Sequence, residues 1–499
     1  MEAQSPVSGL LREPLSPQAQ EAIFVPWIQA SLAASIPFLT RLNRAHLVAI
    51  RRAGLVSSRE AAALDRAILQ IEEEGPAKLV IDGSLEDVYF NYEARLLAIA
   101  GTDTGSRLHV ARSRNDLQAT LDRMRARALG VDLASALQDL RASLLEQAEQ
   151  NLDCVMPGYT HMQHAQPITF GFQLLGIERS LERDMRRVLA ALERINQCPL
   201  GAGALAGTPY PIDRRHTASL LGFSAPVPHT LDAVASKDAI MELLTAALFT
   251  ATTVGRLAQD FYTMTTYEFG MLELPDNLAI TSSLMPQKKN QAVLEFVKGR
   301  QSHLIGAMAT AFCAFHSKPF SHVLDGNADS LRFLWDALHG MAGLLRVAAA
   351  AVAGARPVRE RMRALADANY ATATDFADYL VMRHALPFKE AHHLTGRLVR
   401  LALAEGLPPA GITSRLVAQA SREILGRELR LGDEEIRQAF DSAQSIARRR
   451  GAGGPATEDA AALHAHAVRE LAGAQRELDT YRTMVSNADA RLQAETAAL

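Results

Sequence analysis

The chain has 499 residues, 48% of them hydrophobic and 21% charged, with 52 basic against 55 acidic side chains and a formal net charge of -3. That composition and a mean hydropathy of -0.01 exclude a disordered chain. The lack of a basic excess argues against nucleic acid as a partner, so anionic ligands need local sites. The length implies two to four domains.

Cys154, Cys198 and Cys313 are odd in number and far apart, which points to a reducing cytoplasm and not to a disulfide framework. Residues 1–20 carry acidic side chains and prolines without an apolar core behind a basic start. They read as a flexible N-terminus, not a signal peptide. Leu243 to Gly255, an uncharged apolar stretch, falls short of the ~20 residues of a membrane span, so no membrane partner is expected.

His109 to Asp116 (HVARSRND) sets Arg112, Ser113, Arg114 and Asn115 in a dense run of donors. Arginine's fork suits carboxylates, and the plainer alternative is a helix cap with solvated arginines. Leu121 to Asn151 follows as a helix free of proline, with Leu133, Leu137, Leu140 and Leu144 spaced as one buried stripe. Pro157 to Pro167 (PGYTHMQHAQP) is the next polar segment, and Thr160 and His161 follow its Pro-Gly turn. A histidine there can serve as acid or base near neutral pH. His161 and His164 are also spaced as metal ligands on one helical turn, but no third ligand accompanies them.

Phe170 to Gln197 and Ala239 to Thr266 are further helices, separated by the Gly- and Pro-rich stretch Gly201 to Arg215. Long interruptions of this kind are functional or disordered. A second one, Leu274 to Lys289, runs into TSSLMPQKKN, Thr281 to Asn290. Ser282 can act there as base or nucleophile if a dipole or cation lowers its pKa, with a lysine and an asparagine beyond it to stabilise an oxyanion. A mobile surface loop is the alternative. Gln291 to Phe315 is another helix, Glu390, His392 and His393 fall in an amphipathic helix, and a loop at 448–457 precedes a last helix from Glu458 to Leu499. No segment of useful length alternates like a strand, so the class is all-α. Helices of about 25 residues are nearly 40 Å long. That suits bundles packed from several subunits better than one monomer.

The three polar segments, in this order and at these separations, resemble the conserved regions of the fumarase/aspartase superfamily, whose signature GSSxMPxKxN stands here as TSSLMPQKKN. Within it the match is to the argininosuccinate lyase family, through RSRND, GYTHxQxAQP and SSLMPQKKN. It continues in LDAVASKD (231–238), YEFG followed by ELPD (267–276), ATDFADYLV (373–381) and PFKEAHH (387–393).

The resemblance implies an all-helical homotetramer of three-domain subunits, with a central long-helix bundle and each active site assembled from three subunits. The domains would be 21–111, 112–362 with a catalytic loop at 274–290, and 363–499. Ser282 would be the base, Lys288 and Asn290 would stabilise an aci-carboxylate, and His161, oriented by Glu295, would handle a proton. Ser113, Arg114, Asn115, Thr160, Gln163, Ser283 and Met285 would bind a dicarboxylate substrate. No metal and no organic cofactor are implied. The reaction would be reversible β-elimination of an N-substituted aspartate to fumarate and an amine.

Several positions depart from the family pattern. Thr281 and Gln291 replace a glycine and a proline, Val110-Ala111 replaces Thr-Gly, Tyr89 and His164 replace a histidine and an arginine, and Lys237 replaces an arginine. After Lys318-Pro319-Phe320, the family's substrate-contacting tyrosine, glutamine and lysine give way to His322, Asn327 and Ser330. The part that reads the substrate's far end is thus rebuilt, which points to an amine other than arginine. Argininosuccinate lyase proper, an inactive structural homologue, a metal-dependent hydrolase using His161 and His164, and a C–Cl or C–O lyase or cycloisomerase are the alternatives.

Overall fold

Residues 13–326 and 331–499 are described in the computed structural model. The chain's longest uninterrupted elements govern the rest. After a helical lead that Ser16 caps at Pro17, α1 spans Val25–Arg52, α2 Ser58–Glu74 and α3 Val88–Ala100. The central helix α4, Arg114–Gln150, has 37 residues. Ser113 starts it with a reciprocal cap, its side chain facing the first-turn amides while Asp116 reaches back to the Ser113 amide. Leu133, Leu137, Leu140 and Leu144 are fully buried along it, as their spacing predicts.

The segment after α4 corrects the reading that no strand is present. Val155–Thr160 (β1) and Gln163–Thr169 (β2) pair as an antiparallel hairpin. His161 and Met162 form its tip with φ of 52° and 58°, the two left-handed positions of a tight hairpin turn. The signal was hard to read because that turn is normally marked by Asn or Gly, and here it carries neither.

The bundle continues with α5 (Phe170–Ile195) and α6 (Asp238–Met264). A short pair, β3 (Ile280–Thr281) and β4 (Lys289–Asn290), follows. The helix expected over 291–315 is divided at Arg300 into α7 (Ala292–Gly299) and α8 (Gln301–His316). α9 (Arg332–Gly354) completes the bundle. α10 (Ala373–His384), α11 (Phe388–Ala404) and α12 (Ser414–Leu425) come next, then α13 (Thr457–Ala497).

Three large apolar cores result, beside a small cluster of Ala202, Val227, Ala233 and Val234. The first joins α1–α3 to the start of α4 and to residues 198–223. The second fills the bundle of α4–α9. The third lies among α10–α12 and the helix after them. The span 363–499 contributes to all three, because α13 leaves the third core and places Ala460, Ala467 and Leu478 in the second and Leu492 in the first. By length and composition, residues 17–52, α6 and α9 are apolar enough to cross a membrane. In α6 and α9 that apolar surface is largely packed into the bundle core.

A buried ion pair crosses the second core. Arg141 on α4 and Glu178 on α5 are both fully buried, with Nη2 to Oε1 at 2.8 Å and Nε donating to the same oxygen at 2.9 Å. Removing one member of such a pair leaves an uncompensated buried charge. Glu178→Ala is therefore expected to cost about 3–5 kcal/mol, whereas Arg141→Met with Glu178→Leu should be close to neutral. Urea unfolding midpoints of the single and double variants check this.

Candidate active site

The donors of HVARSRND sit at the start of α4. Asp116 is fully buried, and its carboxylate accepts the amides of Ser113 (2.9 Å), Gly201 (2.8 Å) and Gly203 (2.9 Å). Burial pushes its pKa up to about 6, against the pull of those N–H groups. One carboxylate thus fastens the glycine-rich loop 201–207 to the helix start. Gly203 is left-handed, and a Cβ there would meet the Gly207 carbonyl at 2.5 Å, so this turn requires glycine. Asn115 Nδ2 donates to the Ala204 carbonyl at 3.1 Å. Arg114 pairs with Glu86 at 2.6 Å, and Glu86 holds a φ of 67°. Just before the cap, Ala111 has a φ of 68°, a conformation that costs an L-residue about 1–2 kcal/mol.

Beside this cap lies a buried ion pair, Lys237 Nζ to Asp122 Oδ2 at 2.6 Å, with Gln118 donating to the other Asp122 oxygen at 2.9 Å. His322 is close to it and to Arg114. Burial, and then the charge on Lys237, push the His322 pKa down to about 4, so its ring is neutral at ordinary pH. Lys318 packs over the Phe315 ring and donates to the Ala235 carbonyl at 2.7 Å. Asn327 and Ser330 lie outside the described residues.

The hairpin is at the other end of α4. Thr160, His161 and Gln163 are exposed at its tip. Below it is a cavity of about 660 Å³, lined by Tyr159, His161, Met162, Gln259, Thr263 and Phe269 among others. His164 lies edge-on to Tyr159 at 5.4 Å between ring centres, and burial lowers its pKa. No group of three or more His, Cys, Asp or Glu side chains converges on a metal position among the described residues.

The third segment hangs beside that same end. Ser282 Oγ accepts the amides of Met285 (3.0 Å) and Leu284 (3.3 Å), donors that favour an oxyanion on this hydroxyl. Ser283, Met285 and Lys288 are exposed, and Asn290 Nδ2 faces the Thr281 carbonyl at 3.5 Å. Lys289 ties down the base of the loop through Asp276 at 2.8 Å. Thr281 does not take a positive φ, so threonine in place of the signature glycine carries no backbone penalty here. Glu295 accepts from the Tyr262 hydroxyl at 3.1 Å, and within one chain no hydrogen bond joins it to His161.

One chain therefore places Ser113, Arg114, Asn115 and His322 at one end of α4, and Thr160, His161, Gln163, Ser282 and Glu295 towards the other. Sequence reasoning missed the Asp116 hub and the Asp122–Lys237 pair. The first was hinted at by its position three residues after a capping serine. The second joins residues too far apart in sequence for any local pattern to show.

A family model described as lyase matches residues 34–306, and one described as argininosuccinate lyase C-terminal matches 370–447. Argininosuccinate lyase 1 of Shouchella clausii is 31% identical over 481 residues, 96% of this chain and 97% of that one. The chain belongs to the argininosuccinate lyase family of the fumarase/aspartase superfamily. It is a carbon–nitrogen lyase. The argininosuccinate lyase of Thermus thermophilus is 40% identical over 419 residues, 83% of this chain and 88% of that one. Among solved structures, an EDDS lyase variant with bound fumarate superposes with a TM-score of 0.87 at 29% identity, covering 97% of this chain and 96% of that one. The helix α13 lies beyond both matched family models, although it is fastened along the bundle.

The buried His322 gives a pH-dependent signature. Its folded pKa lies below the ordinary value of 6.5, so its contribution to stability is present above pH 6.5 and is lost as pH falls towards 4. His322→Gln is expected to flatten that part of the stability profile. Unfolding midpoints of both proteins between pH 4 and 8 check it.

Proposed function

We propose that this lyase cleaves an N-substituted aspartate by β-elimination, releasing fumarate and an amine, in sites that several copies of the chain complete together. The observation that carries the shared-site reading is the length of α4. Its 37 residues rise about 1.5 Å each and hold Ser113–Asn115 roughly 55 Å from the hairpin that follows. Both groups match the family's substrate-binding segments, so a second copy must bring one to the other. Phe249, Phe296, Ile305 and Phe312 on α6–α8 are 47–60% exposed, an apolar surface suited to burial between copies in a homotetramer.

In the reaction, Ser282, already ionised and held as an oxyanion by the amides of Leu284 and Met285, removes the proton from the carbon beside a carboxylate and becomes a neutral hydroxyl. The electron pair passes into that carboxylate, and Lys288 and Asn290 stabilise the added charge. The pair then returns to form the double bond as the C–N bond breaks. The nitrogen leaves with a proton supplied from the His161 side. Ser113, Arg114, Asn115 and Thr160 hold the carboxylates, with Gln163, Ser283 and Met285 around them. His322 faces the amine as a neutral hydrogen-bonding ring where the family pattern has a phenol, which supports an amine other than arginine. Argininosuccinate itself is the second reading, favoured by the names of relatives at 31–40% identity. Three thiols without a disulfide fit a soluble, cytoplasmic setting.

Fumarate absorbance with argininosuccinate and other N-substituted aspartates, and with fumarate plus an amine panel in reverse, tests the reading. Ser282→Ala is expected to lose at least ~10²–10⁴-fold in turnover. Unchanged turnover in that variant, or no fumarate from any partner, would sink the proposal. Mixing inactive Arg114→Ala and Ser282→Ala chains in one assembly should restore about a quarter of the sites if each takes these residues from different chains. No recovery in verified mixed assemblies would place each site within one chain.

A further inference from the structure

Behind the Ser113 cap, in the first core, is a buried polar network that the chemistry above does not use. Arg112 is 8% exposed. Its Nη1 donates to Asn43 Oδ1 at 2.7 Å and its Nη2 to the Tyr89 hydroxyl at 2.9 Å, while its guanidinium stacks 5.1 Å from the Tyr89 ring centre. Its Nε has no partner, so these two contacts orient the group. The Tyr89 hydroxyl in turn donates to Glu93 at 2.9 Å and lies 3.0 Å from His109 Nδ1. On the other side of the turn, His46 Nε2 lies 2.8 Å from the Val110 carbonyl. Asn43, His46 and Tyr89 are all buried.

The backbone between the two anchors, Val110 and Arg112, passes through Ala111 at a φ of 68°. A non-glycine residue keeps that conformation only when its surroundings over-determine it. The residue after Arg112 is Ser113, the cap of α4, so whatever fixes this turn also aims Ser113, Arg114 and Asn115.

We infer that Tyr89 is a positioning residue, which holds Arg112 and thereby the left-handed turn at Ala111 that points the α4 cap at the substrate carboxylates. This rests on the proposed function only in that the ligand is a dicarboxylate. Burial pushes the phenol's pKa well above its ordinary value, which keeps its proton available for Glu93 while an oxygen lone pair receives Arg112.

The test is a two-substitution cycle read by fumarate binding and by amide hydrogen exchange at residues 110–116. Tyr89→Phe keeps the ring and removes the hydroxyl, and is expected to weaken fumarate binding roughly tenfold and to speed exchange across the turn. Ala111→Gly makes the left-handed turn free of strain. Added to Tyr89→Phe, it is expected to restore both readouts towards wild type although the contact to Arg112 stays lost. A purely structural tyrosine would lower the unfolding midpoint, and Ala111→Gly would not recover binding. Unchanged binding in Tyr89→Phe, or a loss that Ala111→Gly does not recover, overturns the inference. Glu93→Ala, at the accessible edge of the network, should give the same pattern at smaller amplitude if Tyr89→Phe does not fold. Should wild type not bind fumarate, the proposed function fails, while the exchange pattern still decides the role of Tyr89.

Discussion

The structure depends on the rigidity of one helix. α4 has no proline and no break over 37 residues, and its apolar stripe is buried throughout. Backbone hydrogen bonds and packing by α5, α9 and α13 leave it no hinge. The polar groups at its two ends therefore cannot meet by any local rearrangement within one chain, which is the ground for the proposal that copies of the chain complete each site together. The exposed phenylalanines and isoleucine on α6–α8 suit the same proposal, since copies that share a site would cover such apolar surface.

At the cap end, charge is handled by burial in defined partners. Asp116 is surrounded by three amides, Asp122 by Lys237 and Gln118, and Arg112 by Asn43 and Tyr89. Each is costly to bury alone and stable when satisfied. The result is a cap whose backbone is fixed before any ligand arrives. The Thr281–Asn290 loop is different. Its side chains are mostly exposed and it is anchored chiefly at its base, through Lys289 and the short β3–β4 pair. The cap is preset, whereas a loop held chiefly at its base has room to adapt.

Much of this was legible in the sequence, for physical reasons. The leucine spacing of α4 reports a helical face directly, and the three polar segments are marked by reactive residues interrupting apolar periodicity. The β1–β2 hairpin was not legible, because its tip uses His161 and Met162 where sequence patterns look for Asn and Gly. The division at Arg300 is a local tightening with no proline to announce it. The Asp116 hub and the Asp122–Lys237 pair join residues 85 to 115 positions apart, contacts set by tertiary packing and invisible to any window. Threonine where the family signature has glycine brings no strain at position 281, since the position is extended and not left-handed.

α13 runs alongside α4 for most of its length. It is fastened to α4 where His464 meets the Leu145 carbonyl, where Gln138 reaches the Leu471 carbonyl, and where Arg482 donates to Ser135. A single long helix bows gently, with a curvature radius of about 60–100 Å. Two rods pinned together at several points form a laminated beam, in which neither can flex unless the other slides. The final helix thus acts as a splint, setting how far thermal bending can shift the two ends of α4 relative to each other.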